Sequence, residues 1–181
     1  MGLTKQEKLK RSAIHEAGHA AIYLLQGWIF ESVDIIPEGR IRGGIRNGEE
    51  VMLPGNYSRD MLSDGYEREF RQYSTIILAG YAAENKLLNR KKMSSADKFS
   101  QGITEGSDFN RYLHFANIFF VSNELAWAYF DYIMSELKHL LDNRFGLWES
   151  VIAIADELIC KQELMKDECE TIYKLKTESA L

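Results

Sequence analysis

His15-Glu16-Ala17-Gly18-His19 is the stretch of this 181-residue chain whose residue types and spacing could do chemistry. Two histidines four residues apart on a helix share one face, about a turn apart, so both imidazoles can reach one point. The H-E-x-x-H pattern therefore offers two neutral nitrogen donors to a metal ion. Glu16 lies beside that ion, where its carboxylate can take a proton from water. Two nitrogens, an adjacent carboxylate and an open tetrahedral position describe a catalytic zinc site. Three fixed letters also arise by chance in unrelated helices, so the surroundings have to decide.

They favour a metal. Ala13, Ile14, Ala17, Ala20, Ala21, Ile22, Leu24 and Leu25 make the segment apolar nearly all round, which predicts a buried helix. Two histidines and a glutamate inside such a helix need compensation, because uncompensated polar burial is costly, and coordination supplies it. Ala17 and Gly18 between the histidines are small and allow another element to approach closely.

The composition is that of an ordinary globular protein, 45% hydrophobic with formal net charge -5. A length of 181 residues suits a single domain, 1-181, with a substantial core. Without a clustered basic run, nucleic acid is not the expected partner. Met1 to Arg11 has no apolar core of a signal peptide, and no apolar run approaches the roughly 20 residues needed to span a bilayer. Cys160 and Cys169 lack a C-x-x-C spacing and read as reduced thiols. The expectation is a soluble, cytoplasmic protein without direct membrane insertion.

Thr4 to Gln26 reads as one helix, with Thr4 and Glu7 in capping-box spacing and Gly27 as its end. Ser32 to Ile36 alternates like a strand, Pro37-Glu38-Gly39 is a turn, and Arg40 to Arg46 reads as a second strand at an edge. Such an edge beside a metal could pair with an extended peptide, or it could be an ordinary short hairpin. Asn47 to Tyr57 is expected to be loop. Ser58 to Leu88 is mostly helical in pattern, and its Ala79, Gly80, Ala82 and Ala83 suit a close crossing with the His15 helix. Asn89 to Glu105 is polar and expected to be a mobile loop. Ser107 looks like an N-cap for a long helix from Asp108 to Asn143, with Ser122 as the place where a break would fall. Leu147 to Lys161 and Glu163 to Leu175 read as two amphipathic helices. The predicted fold is mainly α, with a small β-hairpin or sheet beside the motif helix.

A zinc site needs a third protein ligand. His114 and His139 lie on amphipathic helices without a local partner pattern and read as packed or surface residues. Glu84 sits on the small-residue helix that should cross the motif helix. Asp108 opens a helix, where the helix dipole favours the ionised carboxylate a ligand must be. Chemistry alone does not separate Glu84 from Asp108.

From about Ser12 to Leu175 the chain resembles the peptidase domain of the FtsH family, the membrane-bound ATP-dependent zinc proteases. His15-Glu16-Ala17-Gly18-His19-Ala20 matches that family's zinc motif, and Ile35 to Arg40 resembles the segment after it. Leu78-Ala79-Gly80-Tyr81-Ala82-Ala83-Glu84 resembles its Gly-x-Ala-Ala-Glu helix. Glu105 to Arg111 resembles its Gly-rich turn and Asp-x-x-Arg, and Trp148 to Leu175 its paired C-terminal helices. The resemblance implies an FtsH-like zinc metallopeptidase domain. His15, His19 and Asp108 would bind zinc, Glu16 would be the general base, and Glu84 would orient a ligand histidine.

The chain also departs from the family. It contains no G-x-x-x-x-G-K-[ST] loop and no spanning helix, and Gly43 to Tyr57 differs from the usual substrate-side segment. Its helical start at Thr4 and its end at Leu181 favour a self-contained chain over a fragment. The leading expectation is a zinc endopeptidase cutting unfolded or extended polypeptides, as a homo-oligomer or with a separate ATPase partner. A non-catalytic zinc-binding relative and a structural helical protein with a fortuitous motif are the alternatives.

Overall fold

The computed structural model describes residues 4–36, 42–46, 67–89 and 108–178. The elements are α1 (Lys5–Gln26), β1 (Ser32–Ile36), β2 (Arg42–Arg46), α2 (Glu67–Leu87), α3 (Asp108–Phe119), α4 (Asn123–Asn143), α5 (Leu147–Lys161), β3 (Glu163–Met165) and α6 (Lys166–Glu178). The fold is mainly α with one small sheet, as the sequence predicts.

Helix α1 is the central element, packed on α2, α5 and the sheet. Its start follows from the capping box. The Thr4 side chain accepts from Glu7 N, and the Glu7 carboxylate accepts from Thr4 N at 2.7 Å. Its end follows from Gly27, which takes the left-handed conformation at φ 73° that a residue with a side chain adopts only under strain. Ala13, Ile14, Ala17, Ala20, Ala21 and Ile22 are all buried. The expected close crossing of α1 and α2 is present: a Cβ on Gly18 would lie 2.7 Å from Ala83 Cβ and 3.0 Å from the Ala79 carbonyl. Small residues on both helices thus bring the two backbones together. Leu147, Val151, Ile154, Ala155 and Leu158 form the fully buried stripe of α5.

The sheet is antiparallel in the order β2-β1-β3, so among the described residues β2 is at an edge, as expected. Val33 pairs with Ile45 on one side and Leu164 on the other. Val33, Ile35 and Leu164 are buried.

One expectation needs correction. The predicted helix from Glu163 begins only at Lys166, because residues 163–165 form β3. Gln162 ends α5 in the left-handed region at φ 71°, and its carbonyl accepts from Ile35 N. Lys166 N donates to Glu31 O, so the chain is tied to β1 at both ends of β3. Glu, Leu and Met are good helix formers, and three residues are too few to show alternation. The available edge of β1 overrides their propensity. The helical stretch from Asp108 to Asn143 does break at Ser122, into α3 and α4. Ser122 has extended φ and ψ, and its hydroxyl accepts from Leu125 N to cap α4. The expectations for Pro37-Glu38-Gly39, Arg40 and Ile41, Asn47 to Tyr57, the start of the Ser58 helix, the Asn89 to Glu105 loop beyond Asn89, and Ser107 lie outside the described residues.

Candidate metal centre

His15 and His19 project from the middle of α1 towards α2 and the first residue of α3, Asp108. The structure brings the three side chains together. His15 Nε2 lies 2.8 Å from Asp108 Oδ2, His19 Nε2 lies 3.2 Å from the same oxygen, and the two Nε2 atoms are 3.1 Å apart. Metal bonds of about 2.0–2.1 Å at tetrahedral angles separate neighbouring donors by about 3.3 Å, so this triangle has the right size.

The other nitrogen of each ring is already engaged. His15 Nδ1 donates to Glu84 Oε1 at 2.9 Å, and His19 Nδ1 donates to the Ile76 carbonyl at 2.8 Å. Those bonds fix the ring orientations and turn both Nε2 atoms towards the common point. Gly80 leaves that point open. A Cβ built there would lie 2.5 Å from His19 Nε2 and 2.7 Å from His15 Nε2. Two imidazole nitrogens, one carboxylate oxygen and a space that a methyl group would fill suit a zinc ion well.

Electrostatics follow from these contacts. Burial disfavours an imidazolium at His15, but Asp108 and Glu84, with the charge of Glu16, outweigh it and push its pKa up to about 10. Burial also opposes ionisation of Asp108, yet the two imidazoles hold its carboxyl far below the usual range. Glu84 is likewise held ionised against burial, by His15 and Arg11. Glu16 goes the other way: burial raises its pKa, and the opposing influence of His19 and His15 is too weak to cancel this.

Glu16 is buried on α1 against the bare backbone of β2. A Cβ on Gly43 would meet Glu16 Cγ at 2.5 Å and the Asp34 carbonyl at 2.5 Å, whereas a Cβ on Gly44 would meet nothing within 4 Å. The edge strand is therefore a wall behind the Glu16 side chain, and the wall fits only because residue 43 has no side chain.

His114 and His139 are exposed and stand outside the cluster, as expected. Glu84 is near it but uses its oxygens on His15 Nδ1 and on Arg11, leaving Asp108 as the carboxylate that reaches both Nε2 atoms. Sequence reasoning missed Arg11 and the special positions of Gly80 and Gly43. A glycine in the middle of a helix that costs about 1 kcal/mol relative to alanine was a signal for Gly80. Arg11 carried a weaker one, its spacing of one turn before His15. Cys160 is exposed and Cys169 is buried, both free. No helix among the described residues is long and apolar enough to cross a membrane.

No family model matches the chain. The chain is similar to the ATP-dependent zinc metalloprotease FtsH 2 of Thermoanaerobacter sp. (strain X514), with 28% identity over 183 residues covering 90% of this chain. It spans 32% of the length of that protein. The likeness is a distant one to the FtsH family, and it hints at a zinc metalloprotease.

Proposed function

We propose that this chain is a zinc-dependent endopeptidase acting on unfolded or extended polypeptides. The observation that carries the reading is the convergence of His15 Nε2, His19 Nε2 and Asp108 Oδ2 beside the Glu16 carboxylate. His15, His19 and Asp108 hold the metal. Zinc bound there supplies a Lewis acid that polarises the scissile carbonyl and acidifies the attacking water.

The remaining work belongs to the protein. Glu16 accepts the proton of the attacking water and hands it to the leaving amine nitrogen. Its carboxyl is shifted upward by burial, which brings its basicity closer to neutral pH and suits both halves of that transfer. Gly43 and the α1 backbone hold the carboxylate in place. The outer edge of β2, which pairs with no described strand, presents main-chain groups to a substrate in extended conformation. In a stably folded protein most extended backbone is already paired within its own sheets, so unfolded or flexible substrates are favoured. The similarity to an ATP-dependent zinc metalloprotease supports the same chemistry, and a separate ATPase partner would have to unfold folded substrates before they reach the site.

The test is metal content together with turnover. Purified protein is expected to carry one zinc per chain and to degrade casein without ATP, while a tightly folded protein survives. Asp108→Ala should lose the zinc. Casein left intact by the zinc-loaded protein under all conditions would replace this reading with that of a non-catalytic zinc-binding module.

Gly43 offers a finer check. Gly43→Ala forces Glu16 or β2 to move, and a displacement of about 1 Å of a reacting group costs about 100-fold in rate. Turnover should fall by that order with zinc content unchanged, and Gly44→Ala should cost far less. Equal rates for the two variants would mean that the β2 wall does not set the position of Glu16.

A further inference from the structure

The geometry points to Arg11 as a positioning residue for the metal centre, acting through Glu84 on His15; this rests on the zinc reading above. Arg11 precedes His15 by one turn of α1, so the two side chains share a face of the helix. Glu84 reaches from α2 to both. Its Oε2 accepts from Arg11 Nε, and its Oε1 accepts from His15 Nδ1 at 2.9 Å. The carboxylate is thus held at both oxygens, with its side chain only 11% exposed.

The second grip matters because a carboxylate with one partner can rotate. Gripped by Arg11, Glu84 must keep Oε1 on His15 Nδ1, which keeps His15 Nε2 aimed at the point shared with His19 and Asp108. The two ligand histidines are therefore supported differently. His19 leans on a backbone carbonyl that the α2 helix fixes, and needs no further help. His15 leans on a side chain, which needs its own anchor. Arg11 is that anchor, reaching the carboxylate from a side chain itself 35% exposed. Its partial exposure also means that replacing it leaves the core intact.

The experiment is a double-mutant cycle on zinc affinity, measured by competition with a chromophoric chelator. It uses wild type, Arg11→Met, Glu84→Gln and the double variant, with circular dichroism to verify the fold. Loss of a residue supporting a ligand histidine costs about 10–100-fold in metal affinity, and Glu84→Gln should fall in that range. Arg11→Met should cost about 10-fold alone and add less than about twofold on top of Glu84→Gln, because Arg11 acts only through Glu84. Arg11→Lys, which keeps a donor of the same charge, should recover part of the affinity. The visible absorption bands of the cobalt-loaded protein should shift in Arg11→Met as the His15 ring reorients, a change that a loss of global stability alone would not cause.

Unchanged zinc affinity in Arg11→Met, or a penalty that simply adds to that of Glu84→Gln, overturns the role of Arg11 and leaves the zinc reading standing. Wild-type protein that binds no zinc overturns both. Wild-type protein that binds zinc without cutting peptides removes the peptidase reading only, since affinity and cobalt spectra still decide the role of Arg11.

Discussion

Glu16→Gln keeps its zinc and its fold and loses hydrolysis: this is the expected result for the central residue of the proposed mechanism. Glutamine is nearly isosteric with glutamate, so the tight packing against Gly43 is preserved. Glu16 is not among the three converging donors, so metal affinity should change little. The amide cannot accept a proton from the attacking water or deliver one to the leaving amine. General acid–base groups contribute about 10²–10⁴-fold to rate, and the loss should be at least of that order. Zinc content, circular dichroism and casein turnover, compared with active wild-type protein, check the three parts separately. A variant that retains most of the wild-type rate would remove Glu16 from the role of base.

Gly80→Ala is expected to abolish zinc binding, although it changes no ligand. In the interior of an ordinary helix, glycine to alanine stabilises by roughly 0.5–1 kcal/mol. At this position the new methyl group would stand 2.5 Å from His19 Nε2 and 2.7 Å from both Cδ2 and Nε2 of His15. Those distances are too short for contact, so a ring must swing away. Either swing strains a bond that orients a ring, His15 to Glu84 or His19 to Ile76 O. The methyl also fills the space where the three donors converge. Losing one orienting bond costs about 10–100-fold in metal affinity, and displacing the donors themselves should exceed that. Zinc titration of the folded variant measures it. Wild-type affinity in Gly80→Ala would show that the Nε2 atoms do not point at the metal, and the proposed centre would have to be redrawn.

The legible part of this protein was carried by local chemistry. H-E-x-x-H put the two histidines on one helical face with Glu16 beside them, because spacing on a helix is geometry. The capping box at Thr4 and the glycine at residue 27 bounded that helix to the residue, since caps are satisfied within a few positions of chain. The small residues at Ala79, Gly80 and Ala83 announced a close crossing, and Ser122 marked the place where a helix restarts. The alternation of Ser32 to Ile36 was enough for the first strand.

What remained needed the tertiary structure, because it depends on partners far apart in the chain. Glu84 and Asp108 were equivalent candidates by residue type. Only the packing of α2 on α1 and of α3 on α2 turned Asp108 towards both Nε2 atoms and Glu84 towards Nδ1. Arg11 gained its place from a contact 73 residues distant. Residues 163–165 became a strand against their own propensity because β1 offered an open edge, and no local pattern records an edge. Gly43 and Gly80 look alike in sequence as glycines, and only three-dimensional proximity shows that one makes room for a carboxylate and the other for the converging His15 and His19 rings.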